Sequence, residues 1–330
     1  MPGPAAPPVK VLLIAGTGRS GSTILANVVG QAPGFFSGGE FRYIWERGLI
    51  ENRLCGCGAR FRECELWSKV LVEAFGAAEG IPSDRLVAAE RRVLRSRHLV
   101  RLFLGRRRGN DVLHRLGEYP AAVDALYRGV QAVTGARVIV DSSKLPAYGY
   151  VLDQLPHIDL RIVHLVRDPR ASAYSWSRSK TQPDRGRPGT MVRRSPLRSA
   201  ADWTVWNAAA QALWAGGHAT ERYLRVRYED FATNPRAVAD AVCDWLGESA
   251  RPPFIDDRSI DLGVHHTVAG NPDRLQRGPV ELRLDEDWRT AMSRRDRTAV
   301  TAVTFPLLNL YGYRRRIRPS EPARRGRGGG

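Results

Sequence analysis

An α/β fold, doubly wound, with a mostly parallel central sheet and helices on both faces, is what the sequence predicts, and three observations carry that prediction. Apolar runs of strand length stand at Val11 to Ile14, at Ala136 to Val140 and at Leu160 to Val166. Helical stretches separate them, so strands alternate with helices, the order that builds a parallel sheet. Polar and charged residues gather where each run ends, and in open parallel sheets ligands bind beyond those carboxyl ends.

The first run belongs to Val9 to Gln31, VKVLLIAGTGRSGSTILANVVGQ. Ile24, Leu25, Val28 and Val29 recur at three- and four-residue steps and share one helix face. Between strand and helix lies Gly16-Thr17-Gly18-Arg19-Ser20-Gly21-Ser22-Thr23. Its glycines let the backbone turn with N–H groups facing inward, and the new helix adds its positive dipole end, so the turn suits an anion. The spacing fits the nucleotide P-loop G-x-x-x-x-G-K-[ST] except that Ser22 stands where the lysine belongs. That lysine reaches the β and γ phosphates of a triphosphate, so its absence argues against ATP or GTP chemistry. Arg19 offers a planar fork for an anion instead.

Arg-Ser-Gly-Ser-Thr after an N-terminal strand resembles the 5′-phosphosulfate loop of sulfotransferases that use 3′-phosphoadenylyl sulfate (PAPS). A second stretch strengthens the resemblance. Leu160 to Val166 ends at Arg167, Pro169 occupies the first turn of the following helix, and Ser175 lies eight residues beyond Arg167. The family's 3′-phosphate site uses that arginine-to-serine step after a strand. The resemblance extends from Val9 to about Trp288, with its specific motifs at the two phosphate sites.

Taken in order, Gly34 to Phe41 is a short apolar piece running into two glycines and Glu40. In several branches of the family a glutamate in this segment is the proposed catalytic base, so the resemblance makes Glu40 a candidate; a helix-start or surface carboxylate is the alternative. Phe41, Tyr43, Ile44 and Trp45 would wall a pocket or fill a core. Cys55-x-Cys57 and Cys64 lack paired C-x-x-C spacing, and the nearest histidine along the chain is His98. A packed thiol cluster in a reducing compartment is expected there rather than a metal. The LCGCG stretch with Cys64 and Trp67 also resembles a segment of bacterial members.

Ser83 to Leu104 reads as a long, Arg-rich helix capped by Ser83 or Asp84, its basic face solvated or flanking an acceptor. Asp124 to Val133 is another helix. Ala136 to Lys144 is a strand delivering Asp141, Ser142, Ser143 and Lys144 at its end. The resemblance makes Lys144 the residue that contacts the transferring sulfonate or bridging oxygen, against a lysine snorkelling from a loop. No Lys-Thr-His-Leu-Pro segment of the hormone-sulfating branch occurs; Ser142-Ser143-Lys144-Leu145-Pro146 takes its place, which tells against a histidine base.

Thr181 to Arg198 has almost nothing to bury and is expected to be a mobile loop. Trp203, Trp206, Ala210, Leu213 and Trp214 recur at helical spacing from Ser199, a core stripe in which one tryptophan could face the acceptor. Tyr223 to Tyr228 makes a fourth strand, and Asn234-Pro235 caps the next helix. Between His265 and Gly278, the resemblance makes Arg274 and Arg277 candidates to close over the 3′-phosphate; an ordinary surface loop is the alternative. Thr298 to Leu310 completes the core.

The 330 residues suit one elaborated domain over 1–313, followed by a basic, disordered tail, 314–330, that holds seven arginines and one glutamate. Net charge is +17, which suits an acidic cofactor and equally nucleic acid. No apolar run approaches the ~20 residues of a bilayer span, and the first residues carry no secretory pattern, so a cytoplasmic location is expected. The resemblance implies transfer of a sulfonate from PAPS to a hydroxyl or amine of a small-molecule, glycan or lipid acceptor. It leaves adenosine 3′,5′-bisphosphate and needs neither metal nor specific nucleic acid. Arg19, Ser20, Gly21, Ser22 and Thr23 would hold the 5′-phosphosulfate, and Arg167 and Ser175 the 3′-phosphate. The competing readings are a P-loop kinase or NTPase with a displaced lysine, and a non-catalytic basic nucleic-acid binder.

Overall fold

The computed structural model describes residues 7–94, 111–185 and 189–313. The basic tail, 314–330, and the part of the long helix expected beyond residue 94 lie outside the described residues. Strand β1 (Val9–Gly16) leads through the glycine turn into α1 (Ser22–Val29) and then β2 (Phe35–Gly39). Helices α2 (Glu65–Phe75), α3 (Ser83–Val93), α4 (Asp111–Leu116) and α5 (Tyr119–Thr134) precede β3 (Val138–Lys144). Helix α6 (Pro146–Leu152), β4 (Ile158–Val166), α7 (Pro169–Ser177), α8 (Pro196–Trp214) and β5 (Tyr223–Arg227) follow. The chain continues through α9 (Tyr228–Thr233), α10 (Pro235–Trp245), a small hairpin of β6 (Ser259–Leu262) and β7 (Gly278–Glu281), α11 (Trp288–Ala291) and α12 (Arg294–Leu310).

The five main strands are all parallel, in the order β2-β3-β1-β4-β5. Strand β1 is central, with Leu12 beside Val140 of β3 and beside Arg161 of β4. Its apolar residues alternate between the two faces, as a period of two requires. Val11 and Leu13 join the core under α2, α5, α6 and α8, while Leu12 and Ile14 join the core under α1 and α10. All four side chains are buried, each contributing about 1.5–3 kcal/mol of hydrophobic stabilisation. The crossovers after β1 run first to the β3 side and later to the β4 side. The carboxyl end of β1, flanked by those of β3 and β4, is therefore a topological switch point.

The doubly wound parallel sheet agrees with the sequence; several local expectations do not. Neither Ser83 nor Asp84 caps α3, whose cap position is Pro82, and Ser83 Oγ instead donates to the Ile81 carbonyl. Asn234 stands at the α10 cap position but makes no side-chain cap bond. Asp168 and Ser195 do cap: each accepts from the amide two or three residues on. The described residues of Thr181 to Arg198 include packed ones, although the composition predicts almost nothing to bury. Gln182 and Asp184 are buried, Thr181 pairs with Thr190, and α8 already begins at Pro196. The reason is Asp184, whose carboxylate sits between Arg274 and Arg53. Strand β2 escaped the sequence reading because five residues, two of them glycine, carry too short a pattern. Among the described residues no helix is long and apolar enough to cross a membrane.

His164, near the end of β4, is wholly buried, with Nε2 2.8 Å from Asn207 Oδ1 and Nδ1 2.7 Å from the Tyr223 hydroxyl. Burial pushes its pKa from 6.5 down to about 4. The unfolded chain therefore binds a proton that the folded protein refuses, and stability is expected to fall as pH drops from 6.5 toward 4, by at most about 3 kcal/mol from this group. Asp141 opposes it, since burial raises that carboxyl to about 6 and favours the folded state as pH falls below that value. The check is a difference: denaturant midpoints of wild type and His164→Gln between pH 7 and 5, with the variant expected to lose less stability on acidification than the wild type, because the Asp141 contribution is then unopposed.

Candidate active site

The glycine turn is shaped by contacts that leave no room for side chains. Gly16 has φ of 135°, and a Cβ there would lie 2.5 Å from the Leu165 carbonyl oxygen. Gly21 has φ of 89°, and a Cβ there would stand 2.3 Å from the ring of Tyr228. Close packing against β4 and α9 thus brings the turn to the sheet edge, and the first amides of α1, which have no intrahelical acceptor, open toward a cleft. The cleft measures 780 Å³ and is lined by Gly21 from the turn, Ser22 and Thr23 from the start of α1, Glu40 just past β2, Lys144 from the end of β3, Arg167 just past β4 and Ser175 of α7.

Arg19 and Lys144 are two of the three non-glycine residues with positive φ among the described residues, at 67° and 66°. Such backbone costs on the order of 1 kcal/mol or more per residue and persists where its surroundings over-determine it, often at functional sites. The Arg19 guanidinium lies over Trp176, with its carbon 5.0 Å from the ring centroid, and Nη1 donates to Asn271 Oδ1 at 3.3 Å. Arg167 stacks on Tyr228 at 4.4 Å, and its Nη1 donates to the Arg19 carbonyl at 3.2 Å. The Nε atoms of both arginines are buried without a partner. Arg167 Nη2 pairs at 3.5 Å with Asp285, and Arg19 Nη2 donates to Met191 Sδ at 3.2 Å, so two aromatic plates hold two guanidinium forks whose chemistry suits phosphate oxygens.

Glu40 and Lys144 meet from segments 104 residues apart. Lys144 Nζ donates to Glu40 Oε1 and to the Ser142 carbonyl, both at 2.7 Å. Burial pushes the Glu40 carboxyl up, but Lys144, Arg47 and Arg42 outweigh it and hold the group below its usual range. Glu40 is thus a carboxylate at neutral pH, almost out of water, and bonded to the lysine that ends β3. Asp141 sets this pair in place. It accepts from the Ser143 amide at 2.7 Å, the Ser143 hydroxyl at 2.5 Å and the Tyr127 hydroxyl at 2.5 Å, while Ser143 Oγ accepts from the Arg42 amide at 3.2 Å. Asp141 is therefore a buried splice between the end of β3 and the segment after Glu40, although the sequence placed it only among polar residues at a strand end.

Three expected residues stand elsewhere. Ser20 is buried, its hydroxyl without a partner, and it does not form part of the cleft lining. Arg274 is buried away from the cleft, donating to the carbonyls of Thr267 and Leu54 at 2.8 and 2.6 Å and to Asp184 at 3.3 Å. Arg277 donates to the Gly56 carbonyl at 3.0 Å and is likewise absent from the lining. Neither arginine is on the cleft wall here: Arg274 is held by two carbonyls and the buried Asp184 carboxylate, and the exposed Arg277 by the Gly56 carbonyl. From that stretch it is Gly270, Asn271 and Asp273 that reach the cleft. Trp176, Tyr228 and Asn271 were not singled out by the sequence; an aromatic one residue after Ser175 was the available signal for the first. Trp206 is the tryptophan of the α8 stripe that faces the cleft, while Trp203 and Trp214 are core.

Comparison with known proteins finds relatives of this chain. Carbohydrate sulfotransferase 6 of Homo sapiens is 29% identical over 181 residues, 50% of this chain and 44% of its own length. Carbohydrate sulfotransferase 3 of Homo sapiens is 28% identical over 174 residues, 48% of this chain and 34% of its own length. The chain thus spans less than half the length of these curated relatives. The solved sulfotransferase domain from the curacin biosynthetic pathway shares the fold, with a TM-score of 0.52 at 18% identity, covering 91% of this chain and 97% of that one. The sequence model of the sulfotransferase family matches residues 12–252, both anion-site candidates included, and the chain belongs to that family.

Proposed function

We propose that the protein transfers a sulfonate group from PAPS to a hydroxyl of a carbohydrate acceptor, releasing adenosine 3′,5′-bisphosphate. The observation that carries this reading is that one cleft is lined both by the glycine turn and by Arg167 and Ser175, with two buried guanidinium Nε atoms left unpartnered. A donor with phosphate groups at both ends of its ribose matches that pair of cationic sites. PAPS supplies the electrophilic sulfur and a bisphosphate leaving group. Arg19, Ser22, Thr23 and the turn amides would bind the 5′ side, and Arg167 with Ser175 the 3′-phosphate. Lys144 would hold positive charge where the leaving oxygen gathers negative charge, and Glu40 would accept the acceptor's hydroxyl proton. The cationic side chains take the part that magnesium plays in P-loop NTPases. A glycan acceptor is supported by the names of the relatives. Trp206 lies on the cleft wall, as does Tyr43, whose ring carries the Arg42 and Arg47 guanidinium groups at 4.4 and 3.8 Å.

Calorimetry with adenosine 3′,5′-bisphosphate in the presence of a chelator tests the donor assignment. Binding without metal, and weaker binding of AMP, which lacks the 3′-phosphate, is the expected result. Affinity for magnesium-ATP with none for the bisphosphate would favour the kinase reading and overturn this one. A steep salt dependence of nucleic-acid binding with no affinity for any of these nucleotides would favour the basic binder.

A further inference from the structure

The four cysteines include three that the fold gathers around a histidine. Cys55, Cys57, Cys64 and His266 present ligand atoms that all lie within 4.8 Å of one another. Cys57 Sγ is 3.7 Å from Cys64 Sγ, and His266 Nδ1 is 3.3 Å from Cys64 Sγ and 3.9 Å from Cys55 Sγ. A tetrahedral zinc with Zn–S of about 2.3 Å and Zn–N of about 2.0 Å requires S···S separations near 3.8 Å and S···N separations near 3.5 Å. The Cys57–Cys64, Cys64–His266 and Cys55–His266 separations fall within about 0.4 Å of those values, and the remaining pairs lie within 4.8 Å.

The backbone around them is built to hold that arrangement. Cys55 to Ala59 forms a tight turn in which the Cys55 amide donates to the Ala59 carbonyl at 2.8 Å and the Gly58 amide to the Cys55 carbonyl at 2.9 Å. Gly56 donates its amide to the Thr267 carbonyl at 2.9 Å, and a Cβ at Gly56 would lie 2.6 Å from Thr267 Oγ1. The indole of Trp67 donates to the His266 backbone carbonyl at 2.8 Å, holding the main chain of that loop against the cluster. Trp67 itself is buried against Phe36, Phe41 and Phe61, which keeps that side of the cluster dry.

We propose that Cys55, Cys57, Cys64 and His266 bind one zinc ion. Three thiolates and an imidazole complete a tetrahedron without an open position, so the role is structural rather than catalytic, and soft sulfur ligands with imidazole select zinc over magnesium or calcium. The ion ties the turn at 55–64 to a loop some two hundred residues later. That loop continues into the cleft wall: the Val268 amide donates to the Gly38 carbonyl at 2.9 Å, and the Glu40 amide donates to the Ala269 carbonyl at 3.2 Å. Gly270 and Asn271, a few residues on, line the cleft, and Asn271 accepts from Arg19. Zinc at this place would clamp the segment that positions Glu40 and braces Arg19. The assignment does not depend on which donor the cleft binds.

The test is elemental analysis of the full chain purified under reducing conditions and reconstituted with zinc, followed by removal of free metal. About one zinc per chain is expected, with loss of it in Cys64→Ser and in His266→Ala. Should those variants fail to fold, cobalt(II) substituted into the wild-type protein decides: intense visible d–d bands with thiolate charge transfer in the near ultraviolet are expected of a tetrahedral site. Chelation should lower the Tm of the wild type. A wild-type protein that retains no zinc and gives only the weak spectrum of hydrated cobalt overturns the proposal. A Cys57–Cys64 disulfide in protein kept reduced overturns it too, as does full zinc retention in both variants.

Discussion

Glu40→Gln is expected to lower kcat by about 10²- to 10⁴-fold, the range that general-base catalysis commands, while leaving affinity for adenosine 3′,5′-bisphosphate unchanged. The amide keeps the shape of the side chain and an oxygen that can accept from Lys144, 2.7 Å away, so the lysine stays where it is and only the proton acceptor is lost. The pH profile supplies an independent reading. Burial would raise the Glu40 carboxyl, but Lys144, Arg47 and Arg42 hold it below its ordinary range. A base must be ionised to act, so kcat/KM is expected to stay level down through the usual carboxylate range and to fall only below it. Steady-state kinetics beside calorimetry checks both. Lost affinity with an unchanged rate in Glu40→Gln would refute the base assignment.

Arg167→Ala is expected to raise the Kd for adenosine 3′,5′-bisphosphate by about 30- to 100-fold, the loss of a charge-assisted pair worth roughly 2–3 kcal/mol. AMP should lose less, because it lacks the phosphate that Arg167 is assigned to hold. A smaller common loss is expected for both ligands, since Arg167 Nη1 also supports the Arg19 carbonyl at 3.2 Å. The backbone contact from Trp203 Nε1 to the Arg167 carbonyl, 2.9 Å, survives the substitution, so the fold should hold. Arg167→Lys restores charge but not the fork and should recover only part of the discrimination. Equal losses for AMP and the bisphosphate would remove Arg167 from the 3′-phosphate site.

What the sequence by itself determined is the set of features written in short-range pattern. An apolar run ending in Gly16 to Gly21 is a strand, an anion turn and a helix because backbone geometry and periodicity act within a few residues. The eight-residue step from Arg167 to Ser175 is of the same kind, and so is the alternation that makes the sheet parallel. Periodicity has no term for which distant segments meet. The tertiary structure alone decided that Lys144 bonds Glu40 across 104 residues and that Asp141 splices their two segments. It also decided that Arg274 is spent on buried Asp184 rather than on the cleft. His266 joins three cysteines some two hundred residues upstream, although His98 was the nearest histidine along the chain. The Lys144–Glu40 pairing follows from strand order: placing β3 between β2 and β1 sets the end of β3 beside Glu40, just past β2, and that order is settled by packing the whole core, not by any local stretch of it.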